Sequence, residues 1–160
     1  MLGSFTSNRA NAAVERRLAL YNIHTHECVD VCFVQDGAYN WPAIAKIDWL
    51  MRDWRRDEIR PMDVRLFDQL VTLQRRLGTE EPFDLICGYR SPETNAWLLE
   101  TGHQVARQSL HLVGRAVDVR LPGQTLSRLR TEALEMKAGG VGYYPGSDFV
   151  HLDTGRIRSW

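Results

Sequence analysis

The segments with strand periodicity are short, and they do not alternate regularly with the helical ones. Two-residue alternation of apolar and polar side chains predicts a hairpin over residues 17–35 and strands over 83–88, 116–121, 141–144 and 149–153. Helical spacing of apolar residues predicts helices from residue 41, from about 63 to 77, over 93–100 and over 126–136. This order favours an α+β fold, in which helices pack on a small antiparallel or mixed sheet.

The length sets the number of domains. A chain of 160 residues, 44% hydrophobic and 25% charged, has the composition of one globular domain. Residues 1–13 lack strand or helix periodicity and lack the apolar core of a secretory signal, so we interpret them as a flexible leader or a signal remnant. A single domain is therefore expected over residues 14–160.

Charge and hydropathy argue against two classes of partner. Twenty basic residues balance twenty acidic ones, so a strongly basic surface for nucleic acid is not expected. No apolar run approaches the roughly 18 residues that a membrane-spanning helix needs, so no membrane span is expected.

The three cysteines do not form a disulfide framework, because their number is odd. Cys28 and Cys32 lie on one predicted strand about 13 Å apart, beyond disulfide reach. We interpret these two and Cys87 as small, partly buried thiols. His24 and His26 form a rival metal cluster with Cys28 and Cys32, but their spacing matches no usual zinc pattern.

Three residues could form a metal site. Alternation on the strands over 116–121 and 149–153 turns Asp118 and His151 away from the core, and neighbouring strands would bring them together. His111 could fold back beside Asp118, because Gly114 lets the backbone turn between them. Two imidazoles and one carboxylate are a common zinc set that leaves a position for water. A lone histidine on a strand is more often structural, so spacing alone does not decide whether these three residues bind a metal.

Three longer motifs carry a family resemblance: GYRSP at 88–92, SLHLVGRAVD at 109–118 and GGVGYYPGSDFVHLDTG at 139–155. Together they resemble the zinc peptidases of bacterial cell-wall peptides, which include D,D-carboxypeptidases, D-Ala-D-Ala dipeptidases and phage L-alanyl-D-glutamate endolysins. The resemblance is strongest to the YcbK-like murein endopeptidase branch and extends from about Glu15 to Trp160. The family pattern Ser-x-His-x-x-Gly-x-Ala-x-Asp, followed by a later His, is matched at Ser109, His111, Gly114, Ala116, Asp118 and His151.

The resemblance implies a fold of the hedgehog and D,D-peptidase type and a role for several residues. His111, Asp118 and His151 would be the zinc ligands. Arg90 would bind substrate or the developing oxyanion, and the Ser109 hydroxyl would support the site or contact substrate. The general base stays open between Asp148, at the family position three residues before the last ligand, and Asp153, on the same strand face as that ligand.

The implied function is hydrolysis of peptidoglycan stem peptides or cross-links, with peptidoglycan peptides as partners. Two alternatives remain: a D,D-carboxypeptidase on the same substrate class, and a non-catalytic zinc-containing binding module, since hedgehog-type domains are similar in fold and keep a zinc site. The substrate class implies a periplasmic or exported protein.

Overall fold

One sheet of eight strands organises the protein. The computed structural model describes residues 15–103 and 105–160, so the expected leader over 1–13 lies outside the described residues. The strands are β1 (Arg16–Asn22), β2 (Cys28–Gln35), β3 (Ala38–Tyr39), β4 (Phe83–Cys87), β5 (Ala116–Arg120), β6 (Gly140–Tyr144), β7 (Phe149–Asp153) and β8 (Arg158–Ser159). Their order across the sheet is β3-β2-β1-β4-β5-β7-β6-β8.

The sheet is mixed, and the α+β prediction is confirmed. β1 and β2 form the predicted antiparallel hairpin, and β4, β5, β7 and β6 continue as antiparallel neighbours. Two pairings are parallel, β1 with β4 and β6 with β8. The two-residue strands β3 and β8 were not predicted, because two residues are too few to show a periodicity.

Four α-helices lie at the predicted places: α1 (Trp41–Leu50), α2 (Val64–Leu77), α3 (Pro92–Glu100) and α4 (Leu126–Met136). The capping residues explain their bounds. Asn40 and Asp63 accept backbone N–H bonds at the starts of α1 and α2, and Gly78 ends α2 in the left-handed conformation at φ 65°. Within the described ranges, no helix has the length and apolar character needed to cross a bilayer.

The hydrophobic core lies on one face of the sheet. Val117 and Val119 of β5 join Val150 and Leu152 of β7 in this core, against which α2 and α4 pack. Because side chains alternate across a strand, the intervening residues project from the other face. That face carries the polar groups described next.

Candidate metal centre

A row of four residues crosses the sheet at one level. Cys87 of β4 is the partner of Asp118 on β5, Asp118 is the partner of His151 on β7, and His151 is the partner of Gly142 on β6. Directly opposed residues project to the same face of a sheet. The structure therefore brings Asp118 and His151 together on neighbouring strands, as alternation predicted.

His111 reaches the same point from a short 3-10 helix over Leu110–Val113. Gly114 ends this helix with φ 68°, and a Cβ there would lie 2.5 Å from the Pro61 carbonyl oxygen, so only glycine fits the turn. The His111 Nδ1–H donates to the carbonyl oxygen of Gly88 at 2.7 Å. This bond leaves Nε2 directed at the sheet residues.

Three potential ligand atoms converge. His111 Nε2 lies 3.2 Å from Asp118 Oδ1 and 3.2 Å from His151 Nδ1, and the last two atoms are 2.8 Å apart. Ligands at about 2.0–2.1 Å from a tetrahedral zinc ion are roughly 3.3 Å apart, so the three atoms need only a small expansion to hold one. The donor set fits a divalent metal.

Asp153 fixes the orientation of the second imidazole. Its carboxylate accepts the His151 Nε2–H at 3.1 Å, so His151 Nδ1 faces Asp118. Asp153 is fully buried and also accepts from Gly140 N, Gly155 N and the Arg158 guanidinium. A carboxylate on the outer nitrogen is the usual support of a metal-binding histidine.

Electrostatics at the centre keep the Asp118 carboxylate ionised. Burial alone would raise the pKa of Asp118, but the charge and hydrogen bonds of His111 and His151 hold it well below its usual range. Burial would lower the pKa of His111, and the Asp118 carboxylate outweighs it and raises that pKa. The buried carboxylate thus stays ionised and is stabilised by positive charge on its neighbours.

A groove of about 150 Å³ opens onto these atoms. Tyr144, Phe149 and Trp160 form an aromatic wall: Tyr144 stacks on Phe149, and its hydroxyl accepts the Trp160 indole N–H at 2.7 Å. Gly142 makes room for this wall, because a Cβ there would lie 2.7 Å from the Trp160 ring.

Arg90 lines the groove and is only 8% exposed. Its Nη1 donates to the Asn95 side-chain oxygen at 3.2 Å, and its Nη2 lies 3.6 Å from Cys87 Sγ. Its Nε is buried and has no hydrogen-bond partner in the described part of the chain. Buried polar groups are normally paired, so an unpaired N–H at this position costs free energy.

Ser109 also lines the groove, and its hydroxyl accepts the backbone N–H of His111 at 3.3 Å. The side chain thereby caps the short helix that carries His111. This contact is consistent with support of the site.

The two candidate bases have different surroundings. Asp148 precedes β7 in the left-handed conformation at φ 55°, and its side chain is 63% exposed. Its Oδ2 accepts from Arg120 Nη1 at 3.2 Å, and Arg120 also pairs with Asp84 at 2.8 Å. Asp153, by contrast, is buried beneath His151.

Cys87 also belongs to the site, and sequence analysis did not predict this. One ligand atom each from Cys87, His111 and Asp118 lies within 4.8 Å of the others. Leu85 faces the core, so alternation would turn Cys87 to the core as well. A register shift between Leu85 and Cys87 moves the thiol to the site face.

The rival cluster is not brought together. His24 stacks on Trp54 and binds the Ile86 carbonyl oxygen, and His26 Nδ1 bonds to the Tyr21 hydroxyl. Cys28 and Cys32 are free thiols. In the described ranges, these four residues do not form a group of potential ligand atoms.

Comparison with known proteins decides the family. The family model described as peptidoglycan L,D-endopeptidase MepK matches residues 10–160. The chain belongs to this family. Peptidoglycan L,D-endopeptidase MepK of Escherichia coli (strain K12) is 46% identical over 145 residues, which cover 91% of this chain and 80% of that protein. The probable peptidoglycan L,D-endopeptidase MepK of Haemophilus influenzae is 38% identical over 146 residues, with 91% and 78% covered.

These matches confirm the resemblance inferred from the three motifs. The family is that of the murein endopeptidase branch, and the matched range, residues 10–160, spans all three motifs.

Proposed function

We propose that residues 14–160 form one zinc-dependent peptidase domain that hydrolyses peptide cross-links in peptidoglycan. Membership in a family described as peptidoglycan L,D-endopeptidases supports the substrate class. The observation that carries the proposal is the convergence of His111 Nε2, Asp118 Oδ1 and His151 Nδ1 within 3.2 Å at the floor of a groove.

His111, Asp118 and His151 would hold the metal. A bound zinc ion lowers the pKa of its water and polarises the carbonyl of the scissile bond. The protein's contribution is to fix the ligand atoms: Gly88 O orients His111, and Asp153 orients His151.

Arg90 would stabilise negative charge on the substrate or on the oxygen of the reacting carbonyl. Its guanidinium is buried beside the ligands, where a fixed positive charge acts more strongly than in water.

We assign proton transfer to Asp148 and support of the metal to Asp153. The lone pairs of Asp153 are used by His151, Arg158 and two backbone N–H groups, and no face of it reaches the groove. Asp148 is open to solvent, and Arg120, its partner, lies two residues beyond Asp118 on the same face of β5. Asp148 is thus on the ligand side of the sheet, and it must leave Arg120 to take a proton from the attacking water.

The bond cut would be one that joins an L and a D centre, as the names of the relatives indicate for those proteins. Peptidoglycan lies outside the cytoplasmic membrane, so the protein would act in the periplasm or after export. Ser109 would hold His111 in place and contact substrate at the groove edge.

A digest of purified, cross-linked peptidoglycan tests the proposal. The zinc-loaded protein should convert cross-linked muropeptide dimers to monomers, as identified by mass spectrometry, and His111→Ala should not. Release of free D-alanine without loss of dimers would instead indicate a D,D-carboxypeptidase. A zinc-replete protein that binds peptidoglycan and yields no product would be a binding module.

A further inference from the structure

Arg90 is a buried cation that lacks a counter-charge. Its exposed fraction is 8%, and in the described ranges no carboxylate lies within ion-pair distance of it. Arginine is almost never fully buried unless it is paired with an anion, because leaving water costs a charged group free energy. The positive charge is therefore held ready for a group that is not part of the chain.

The residue that holds Arg90 is neutral. Asn95, on α3, is 4% exposed, and its Oδ1 accepts the Arg90 Nη1–H at 3.2 Å. Its Nδ2 donates to the Ala106 carbonyl oxygen at 3.3 Å, which fixes the amide with its oxygen towards the guanidinium. Asn95 thus supplies an acceptor without a negative charge.

The nearby carboxylate is directed elsewhere. Asp53 is 2% exposed, and its Oδ2 accepts from the backbone N–H of Ser91 at 2.9 Å and from the Ser91 hydroxyl at 2.7 Å. This contact anchors the chain directly after Arg90 and the start of α3. The backbone is therefore held by an anion, while the guanidinium is held only by an amide and a thiol.

We propose that Asn95 is a positioning residue that directs the Arg90 guanidinium into the groove and leaves its charge uncompensated for an anionic group of the substrate. This inference rests on the proposed function. An aspartate at position 95 would have nearly the same shape, but it would form an internal ion pair with Arg90 and cancel the charge that the substrate needs.

The test compares Asn95→Asp and Asn95→Ala with Arg90→Ala. The kinetics of all zinc-loaded proteins are measured on cross-linked muropeptide dimers. We expect Asn95→Asp to lower kcat/KM by on the order of 100-fold, as loss of one charge-stabilising donor does. The loss should fall on the same parameter, kcat or KM, that Arg90→Ala changes. Zinc content and the circular dichroism spectrum should match those of the wild type.

A double-mutant cycle separates positioning from support of the fold. Asn95→Ala should lower kcat/KM by about tenfold in the wild type and by less than about twofold in the Arg90→Ala background, because Asn95 acts through Arg90. Equal losses in both backgrounds would overturn the proposal. Asn95→Ala also serves where Asn95→Asp fails to fold, since it introduces no buried charge.

Ala96→Asp is the matched control, because it adds the same carboxylate to the exposed side of α3. It should keep wild-type kinetics. If the wild type does not cleave dimers, the proposed function fails. If Arg90→Ala is impaired while both Asn95 variants are not, the function stands and this inference alone fails.

Discussion

Asp118 and His151 are direct cross-strand partners on β5 and β7, and Asp118 Oδ1 lies 2.8 Å from His151 Nδ1. Their backbones are fixed by the sheet, so these two ligand atoms are preorganised before a metal binds. His111 comes from a separate short helix, which must be held in place by its own contacts. The centre therefore has a rigid part on the sheet and a part that depends on Gly114, Ser109 and Gly88.

The zinc-loaded chain should contain about one zinc ion. The His111→Ala/His151→Ala double variant should contain almost none, because Asp118 is the only one of the three proposed ligands that remains. Metal analysis after dialysis measures the ratio of zinc to protein. His103→Ala is the control, since His103 is exposed and is not part of the site. Unchanged zinc in the double variant would place the metal elsewhere.

Sequence patterns predicted the parts of the site that regular strands determine. Alternation is enough to turn Asp118 and His151 to one face, and pairing of β5 with β7 makes them neighbours. Cys87 could not be predicted, because an irregularity in the pairing of β4 with β5 decides which face it takes. The direction of the Asp148 side chain could not be predicted either, since its left-handed backbone breaks the alternation.

The ends of the helices depend on local contacts. Asn40 and Asp63 accept backbone N–H groups where α1 and α2 begin, and Gly78 ends α2 in the left-handed conformation. The parallel pairing of β1 with β4 joins strands that are separated by two helices, and no local pattern encodes it.

Gly114→Ala should destabilise the fold and lower zinc affinity. Alanine costs about 1–2 kcal/mol in the left-handed conformation, and its Cβ would also overlap the Pro61 carbonyl oxygen at 2.5 Å. Gly78→Ala is a matched control, because Gly78 has nearly the same φ, 65°, with nothing within 4 Å of the added carbon. Urea unfolding and zinc titration of both variants measure the difference. Equal losses of stability and zinc affinity in the two variants would show that the overlap with Pro61 adds nothing to the cost of the left-handed conformation.

Asp63 should make stability depend on pH. Burial would raise the pKa of Asp63, but hydrogen bonds from Arg65 and Thr154 outweigh it and lower the pKa to about 2, from 3.8. The unfolded chain therefore binds the proton first, so the stabilisation is complete above pH 3.8 and is lost as the pH falls towards 2.

Asp63→Asn isolates this effect, because asparagine caps a helix as well as aspartate does. The wild type should be more stable than the variant by on the order of 1 kcal/mol at pH 6, a modest value because Arg65 is exposed to solvent. The difference should shrink between pH 4 and pH 2.5. Urea unfolding in EDTA at each pH measures it, and a constant difference would contradict the assignment.

Arg90→Ala should leave zinc content and fold intact and lower turnover by on the order of 100-fold, which is about 3 kcal/mol. The fold should persist because, among the described residues, Arg90 has no carboxylate partner that its loss would leave as an unpaired buried anion. Arg90→Lys should recover only part of the activity, since a lysine lacks the planar fork of donors. If Arg90→Ala cleaves muropeptide dimers at the wild-type rate, Arg90 has no role in catalysis.

Asp148→Asn and Asp153→Asn should fail in different ways, because the two carboxylates have different partners. Asp148 is exposed and touches Arg120, so its amide variant should keep zinc and lose most activity, as an amide cannot accept the proton of water. Asp153 is fully buried and binds His151 and Arg158, so its amide variant should lose zinc affinity by about 10–100-fold or unfold more easily.

Zinc content, activity and urea unfolding are measured on the same preparations. Full activity in Asp148→Asn, together with a zinc-replete but inactive Asp153→Asn, would reverse the two roles. Full activity in both variants would show that neither carboxylate accepts the proton.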